Sequence, residues 1–247
     1  MVDLHCHILP EVDDGADSID VSCEMAAIAA DSGIDTIVAT PHCNTRNEIK
    51  NYRSPFLDEQ FRMLQEAFDF YHIPVRLLPG AEVLVRDDMD RLLSERRFYT
   101  LAHSKYLLTE FYFDEPPEVM DAELARIAGA GLVPVVAHPE RYFAVNDNPE
   151  LVRHWHDRGY VIQVNKGSLL GRFTEDAYDT AFWLLSERIA DLIASDAHHF
   201  ESRTPDMSEL CMWLDDFFND DFTKLLLEKN PRRIIENRPI LRYSEGS

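Results

Sequence analysis

The 247 residues include 45 acidic and 24 basic side chains, a formal charge of −21. A surface of that sign repels phosphate backbones and argues against nucleic acid as a partner. No run of roughly 18 apolar residues is present, so no membrane insertion is expected. The length suits one large core, and a single domain over residues 1–247 is the expectation. The start of the chain has no basic stretch followed by an apolar one. The four cysteines, Cys6, Cys23, Cys43 and Cys211, show no paired spacing. Together these predict a reduced, cytoplasmic protein.

The chain opens on a strand, Val2 to His7, that carries His5 and His7. Residues i and i+2 of a strand share a face, so both imidazoles can lean into one site while Leu4 and Cys6 face away. A polar loop with Asp13, Asp14 and Gly15 follows. Asp17 or Ser18 caps a helix through Val21, Met25, Ile28 and Ala29, which Gly33 ends. Ile34–Thr40 reads as a buried strand leading to Pro41 and His42. Ser54-Pro55 starts a helix with Leu57, Phe61, Leu64 and Phe68 on one face. Val75–Gly80 is a strand, followed by Glu82. A short charged helix is predicted over 86–97. A strand over 106–108 runs toward Glu110. Pro116-Pro117 opens a helix with Leu124 and Ile127, closed by Gly129 or Gly131. Leu132–Ala137 is a strand ending at His138. Leu151, Val152 and Trp155 mark a helix before Gly159. Tyr160–Val164 is a strand. Thr174 caps a helix with Tyr178, Phe182 and Leu185. Leu192–Ala194 is a strand ending at Asp196 and His198. The tail reads as helical, with Met207, Leu210, Leu214 and Phe217 on one face and a last turn from Asn230-Pro231.

Seven strands alternating with helices imply a parallel sheet, and at this length a closed α/β barrel is preferred over an open sheet. Working residues of such barrels sit at the C-terminal strand ends. Those ends hold His5, His7, His42, Glu82, Glu110, His138, Asp196 and His198, and Asp14 lies in the first loop. Taken singly, a glutamate after a strand is usually a solvated loop residue, and a histidine there is as often structural as a ligand. Independent accidents rarely line up at so many consecutive strand ends. Mixed imidazole and carboxylate donors suit manganese, zinc or iron rather than a structural cysteine–zinc site. His72, His103, His154, His156 and His199 lie off this pattern.

The segments Asp-Leu-His-Cys-His (3–7), Asp-Asp-Gly (13–15), Thr-Pro-His (40–42), Gly-Ala-Glu (80–82), Ala-His-Pro-Glu-Arg (137–141), Gln-Val-Asn (163–165) and Ala-Ser-Asp-Ala-His (194–198) resemble the PHP (polymerase and histidinol phosphatase) superfamily. More narrowly, they are similar to its bacterial protein-tyrosine phosphatases. The resemblance runs from Asp3 to about Ile235. It implies a distorted (β/α)7 barrel holding three divalent metals, with Mn2+ the first choice and Fe, Zn, Co or Mg as alternatives. By position, His5, His7, Glu82 and Asp196 would hold the first metal. Glu82 would bridge to a second, held also by Glu110 and His138. Asp14, His42 and His198 would hold the third. Arg141 and Arg203 match arginines that grip phosphate. The implied reaction is hydrolysis of phosphotyrosine by metal-activated hydroxide. The implied partner is the phosphotyrosine tail of a membrane-anchored tyrosine kinase of capsule and exopolysaccharide synthesis.

Thiol-dependent tyrosine phosphatases need Cys-x5-Arg. Here the residues six past the cysteines are Val12, Ala29, Ile49 and Phe217, so the chemistry must be of another kind. Within the superfamily the alternative is a small-molecule phosphatase such as a histidinol phosphatase. A nuclease is disfavoured by the acidic composition, and a non-enzymatic regulator by the complete ligand set. An amidohydrolase barrel also begins with His-x-His, but usually supplies a bridging lysine where this chain has Glu110.

Overall fold

The structure, a computed structural model, describes residues 1–45, 49–86 and 88–243. Nine strands are present among the described residues: β1 (Val2–Cys6), β2 (Thr36–Ala39), β3 (His42–Cys43), β4 (Arg76–Pro79), β5 (Glu82–Leu84), β6 (Tyr106–Glu110), β7 (Val133–Ala137), β8 (Val161–Asn165) and β9 (Leu192–Ala194). All strand pairs are parallel, as the alternation with helices demands. They form a three-stranded sheet, β1-β2-β4, and a six-stranded sheet, β3-β5-β6-β7-β8-β9.

The strand count exceeds the expected seven because two runs break. Between β2 and β3 the chain passes through Thr40-Pro41, and Pro41 has no N–H to give a ladder. Between β4 and β5 it passes through Gly80, where a Cβ would lie 2.7 Å from Val38 Cγ1 and 3.2 Å from Ala39 O. Only glycine lets the two backbones approach so closely. His42 and Glu82 therefore begin new strands and are register partners, rather than trailing the strands before them.

The strands pair as two sheets rather than as one continuous closed sheet, and the two meet at β1 and β9. The isolated bridge Cys6–Ala197 joins them, with His7 N donating to Ala197 O at 2.8 Å and Asp196 N to His5 O at 2.9 Å. Asp3, fully buried, adds a side-chain tie: its Oδ1 accepts Ser195 N at 3.0 Å and its carboxylate accepts the Ser195 hydroxyl. One apolar cluster draws on both sheets, through Val2, Leu4, Val38, Leu108, Val135 and Leu192. A larger cluster fills the space between the opposite strand faces and the helices.

The helices are α1 (Ile19–Asp31), α2 (Pro55–Phe70), α3 (Met89–Glu95), α4 (Pro117–Gly129), α5 (Phe143–Asp147), α6 (Glu150–Asp157), α7 (Lys166–Leu169), α8 (Glu175–Ser186), α9 (Ser208–Phe217), α10 (Asp220–Lys224) and α11 (Asn230–Ile235). Ser18 rather than Asp17 caps α1, and Ser54 and Thr174 cap α2 and α8 as expected. The predicted 86–97 helix shortens to α3; Asp87 lies outside the described residues. In α9, Leu210 and Leu214 are buried but Phe217 is 53% exposed, so it leaves the predicted core face. It instead packs edge-on against Phe182 of α8, 5.6 Å between centroids.

Candidate metal centre

The site starts with an irregularity in β1. Val2 pairs with Thr36, Asp3 with Ile37, but Cys6 with Ala39, so β1 carries one residue more than β2 over this stretch. A bulge of this kind re-aims side chains. Strict alternation is thereby lost: Leu4 packs with Val2, whereas Cys6 packs in the larger, helix-side cluster. His5 and His7 nonetheless converge, with their Nε2 atoms 3.2 Å apart.

Around them the structure assembles all nine predicted donors. His5 Nε2 lies 3.2 Å from Glu82 Oε1 and 3.5 Å from Asp196 Oδ1. His7 Nε2 lies 3.3 Å from Glu82 Oε2 and 3.6 Å from Asp196 Oδ1. His138 Nε2 is 3.0 Å from Glu82 Oε1 and 3.8 Å from Glu110 Oε1. His42 Nδ1 is 3.0 Å from Glu82 Oε2 and 3.7 Å from Glu110 Oε2, while its Nε2 is 3.5 Å from Asp14 Oδ1. His198 Nε2 reaches the same Asp14 oxygen at 3.5 Å. Four sets of donor atoms lie within 4.8 Å of one another: His7–Asp14–His42–His198, His5–His7–Asp196, His5–Glu82–His138 and His42–Glu82–Glu110. His5, His7, His42 and Glu82 each belong to two sets, a more shared arrangement than the division expected from sequence, in which Glu82 alone bridged.

Five imidazoles and four carboxylates in one cluster form a donor set suited to several divalent ions. His42 Nδ1 is buried and, despite its closeness to Glu82, makes no hydrogen bond among the described residues. Such an atom fits a cluster whose members point at a shared third party. Burial pushes the His5 and His42 imidazoles down, but Glu82 together with Asp196 beside His5, and with Glu110 and Asp14 beside His42, raises them to about 9 and about 10. Burial, then the charge of Glu82, raises Glu110 to about 8. Burial holds His138 and His198 below the usual range, so both are neutral and able to ligate.

Residues passed over in the sequence reading orient these donors. Asp13 Oδ2 accepts His7 Nδ1 at 2.8 Å and His42 N at 2.8 Å, and its Oδ1 accepts Gly15 N at 3.0 Å. Gln163 Oε1 pairs with His5 Nδ1 at 2.9 Å. Each partner fixes one ring nitrogen and turns the other toward the centre. Gly15 sits under His7, where a Cβ would lie 2.1 Å from His7 O, so no other residue fits. The Asp-Asp-Gly triplet held this information, but only the fold shows that Asp13 backs His7 while Asp14 faces the cluster.

Asp196 divides its oxygens. Oδ1 faces the imidazoles; Oδ2 accepts from Asn165 Nδ2, from Arg203 NH2 at 2.6 Å and from Arg141 NH1 at 3.4 Å. Both predicted arginines therefore border the donor cluster on one side. The Arg141 guanidinium lies over Phe113 at 4.6 Å and Phe173 at 4.4 Å, clamped between two rings. Arg203 belongs to the segment after β9, which Lys166 Nζ pins by donating to Thr204 O and Asp206 O. None of the cysteines is activated. Burial raises all four thiols, Cys43 to about 12, and Cys43 donates its S–H to Lys50 O at 3.2 Å.

A parallel α/β scaffold with a buried histidine–carboxylate cluster beside two arginines defines a metallohydrolase-type centre for an anionic substrate. Residues 1–236 match the family described as Capsular polysaccharide synthesis, CpsB/CapC. The chain is 34% identical to the tyrosine-protein phosphatase YwqE of Bacillus subtilis over 245 residues, covering 98% of this chain and 94% of that one. It is 29% identical to the tyrosine-protein phosphatase CpsB of Streptococcus pneumoniae, covering 97% of this chain and 100% of that one. Its structure superposes on a crystal structure described as one of the "unique metal-dependent tyrosine phosphatases" YwqE and CpsB with a TM-score of 0.91 at 33% identity, over 98% of this chain and 97% of that one. The chain belongs to the CpsB/CapC family, the family of these metal-dependent tyrosine phosphatases of capsule synthesis.

Proposed function

We propose that this chain is a metal-dependent protein-tyrosine phosphatase in which His5, His7, Asp14, His42, Glu82, Glu110, His138, Asp196 and His198 hold divalent cations and Arg141 and Arg203 hold the phosphoryl group. The observation that carries the reading is the convergence of nine donors on one cluster with both guanidiniums on its edge. Cations bound there would neutralise phosphoryl oxygens and lower the pKa of a water toward neutral. Manganese is our choice among them, since mixed imidazole and carboxylate donors suit it, with Fe, Zn, Co and Mg as alternatives.

The chain's own groups do the rest. Asp196 keeps Arg141 and Arg203 oriented, and a phosphate dianion would give their planar N–H forks further acceptors. The Phe113 and Phe173 rings restrict Arg141 and offer apolar surface beside it, which suits the ring of a tyrosyl group. A tyrosyl leaving group has a pKa near 10, so it departs with little protonation. Attack by water then needs no phosphoenzyme, in keeping with the inert thiols.

The fold reading that goes with this is a single domain, 1–247, built as a distorted (β/α)7 barrel. Counting β2 with β3 and β4 with β5 gives seven staves, and the apolar cluster shared by both sheets supports a common interior. We further infer a cytoplasmic protein acting on the phosphotyrosine tail of a membrane-anchored tyrosine kinase of capsule or exopolysaccharide synthesis. Its own described residues include no helix long and apolar enough to cross a membrane.

The test is manganese-dependent turnover of a phosphotyrosine peptide beside a phosphoserine peptide and histidinol phosphate, with a chelator control. Preference for phosphotyrosine, abolished by chelator and restored by metal, is expected. Preference for histidinol phosphate would replace the substrate while keeping the site; chelator-resistant turnover would overturn the site itself.

A further inference from the structure

At the opposite ends of β6 and β7 from Glu110 and His138 lies a second cavity of about 360 Å³. Its size falls within the range of small-molecule sites, roughly 300–1,000 Å³. Lys105, which precedes β6, lines it together with Arg53, Arg96 and His103. Tyr99 and Phe98 back it from the core, both almost fully buried. No carboxylate lines it. The whole chain carries 45 acidic and 24 basic side chains, so an average stretch of surface bears about two acids per base. This cavity reverses that balance completely.

None of the four makes a side-chain ion pair among the described residues, though Lys105 Nζ lies over the Tyr106 ring at 5.7 Å, whereas Arg97 beside them pairs with Glu95 at 3.6 Å. Asp58, a carboxylate that touches the lining, accepts the Tyr99 hydroxyl at 2.8 Å. The backbone that presents them is unusual. Arg96, Ala102 and His103 have φ of 48°, 51° and 58°, left-handed conformations that cost non-glycine residues of order 1 kcal/mol or more each. Strain of this sort collects at ligand sites, where the surrounding structure holds it in place.

We propose that this cavity binds a small phosphorylated molecule. Arg53, Arg96 and Lys105 meet its phosphate oxygens. A cavity of this volume takes a metabolite rather than a folded partner. The site stands independently of the metal centre: it shares no residue with it.

The probe is adenosine diphosphate, titrated by calorimetry at low salt into the metal-loaded protein, with inorganic phosphate as the single-phosphate comparison. Three proteins are compared: the unmodified chain, the double variant Arg96→Glu/Lys105→Glu, and Arg141→Ala at the metal centre. The expected result is binding that weakens roughly tenfold or more in the double variant, survives in Arg141→Ala, and is tighter than for inorganic phosphate. Phosphotyrosine turnover by the double variant is expected to stay at the unmodified level. Arg96→Ser/Lys105→Ser serves as the milder pair if charge reversal impairs folding. Equal affinity in the unmodified chain and either pair, loss of binding in Arg141→Ala alone, or no binding by the unmodified chain would each overturn the proposal. Capture at this cavity of a phosphotyrosine peptide but not of the nucleotide would overturn the small-molecule assignment.

Discussion

Asp13→Asn probes a carboxylate that orients the centre without facing it. Asp13 makes three hydrogen bonds through two oxygens: Oδ2 accepts His7 Nδ1 and His42 N, each at 2.8 Å, and Oδ1 accepts Gly15 N at 3.0 Å. Asparagine has one oxygen. Placed at the Oδ2 position it keeps two bonds but turns its amide N–H against Gly15 N–H. Flipped, it keeps only Gly15 and donates to His7 Nδ1. That donation moves the His7 proton to Nε2, the nitrogen needed in the cluster. Either way the charge that favours a proton on Nδ1 is gone. Burial alone would raise Asp13, yet the charge and hydrogen bond of His7 and the N–H groups of His42 and Gly15 hold it below the usual range, so the native group is an anion. Losing a partner of this kind costs about 10- to 100-fold in metal affinity, or about 1.4–2.7 kcal/mol. The assay is competition for manganese against a fluorescent chelator, with turnover measured across metal concentration. Weaker metal binding with most turnover recovered at saturating metal is expected. Unchanged metal affinity in a folded Asp13→Asn protein would refute the orienting role.

Three further perturbations separate the parts of the site. Arg141→Ala should raise KM for a phosphotyrosine peptide about 10- to 100-fold, the worth of a charge-assisted hydrogen-bond pair, with metal content by elemental analysis unchanged; a drop in bound metal instead would make Arg141 a structural support of Asp196. Phe113→Ala/Phe173→Ala removes both rings that clamp Arg141, each worth about 0.5–1 kcal/mol, so kcat/KM should fall about 5- to 30-fold for phosphotyrosine. A smaller fall for a ring-free phosphomonoester is the matching expectation, and equal falls would deny the rings a part in substrate choice. Cys43→Ser should leave turnover near the unmodified level, because the native thiol is buried, raised to about 12 and committed to Lys50 O; its loss of activity would return a thiol mechanism.

What was legible in the sequence follows from what each signal depends on. Apolar periodicity and caps are local, and Ser18, Ser54 and Thr174 cap helices because the next turn needs their hydroxyls. Most donor residues were legible because they lie at or just past the end of an apolar run, a position that composition marks clearly. Their sharing was not. That His42 serves two donor sets depends on β3 pairing with β5, a long-range register created by the breaks at Pro41 and Gly80. Each break was visible as a residue type, but a proline or glycine at a strand end ordinarily marks only the end.

The same limit explains Asp13, Gln163 and Asn165. Each is an ordinary polar residue by type, and each matters because of the atom it touches across 6 to 158 positions of chain. The bulge in β1 shows how one such contact depends on another. With strict alternation, Leu4 and Cys6 would share a face; the extra residue against β2 sends them into different clusters. The shift also sets the backbone that receives Ala197 and Asp196 from the far end of the chain, through His7 N to Ala197 O and Asp196 N to His5 O. The first and last strands thus carry His5, His7, Asp196 and His198 into one cluster by a mutual adjustment of backbone. No stretch read alone contains that adjustment, because it is a property of the pair.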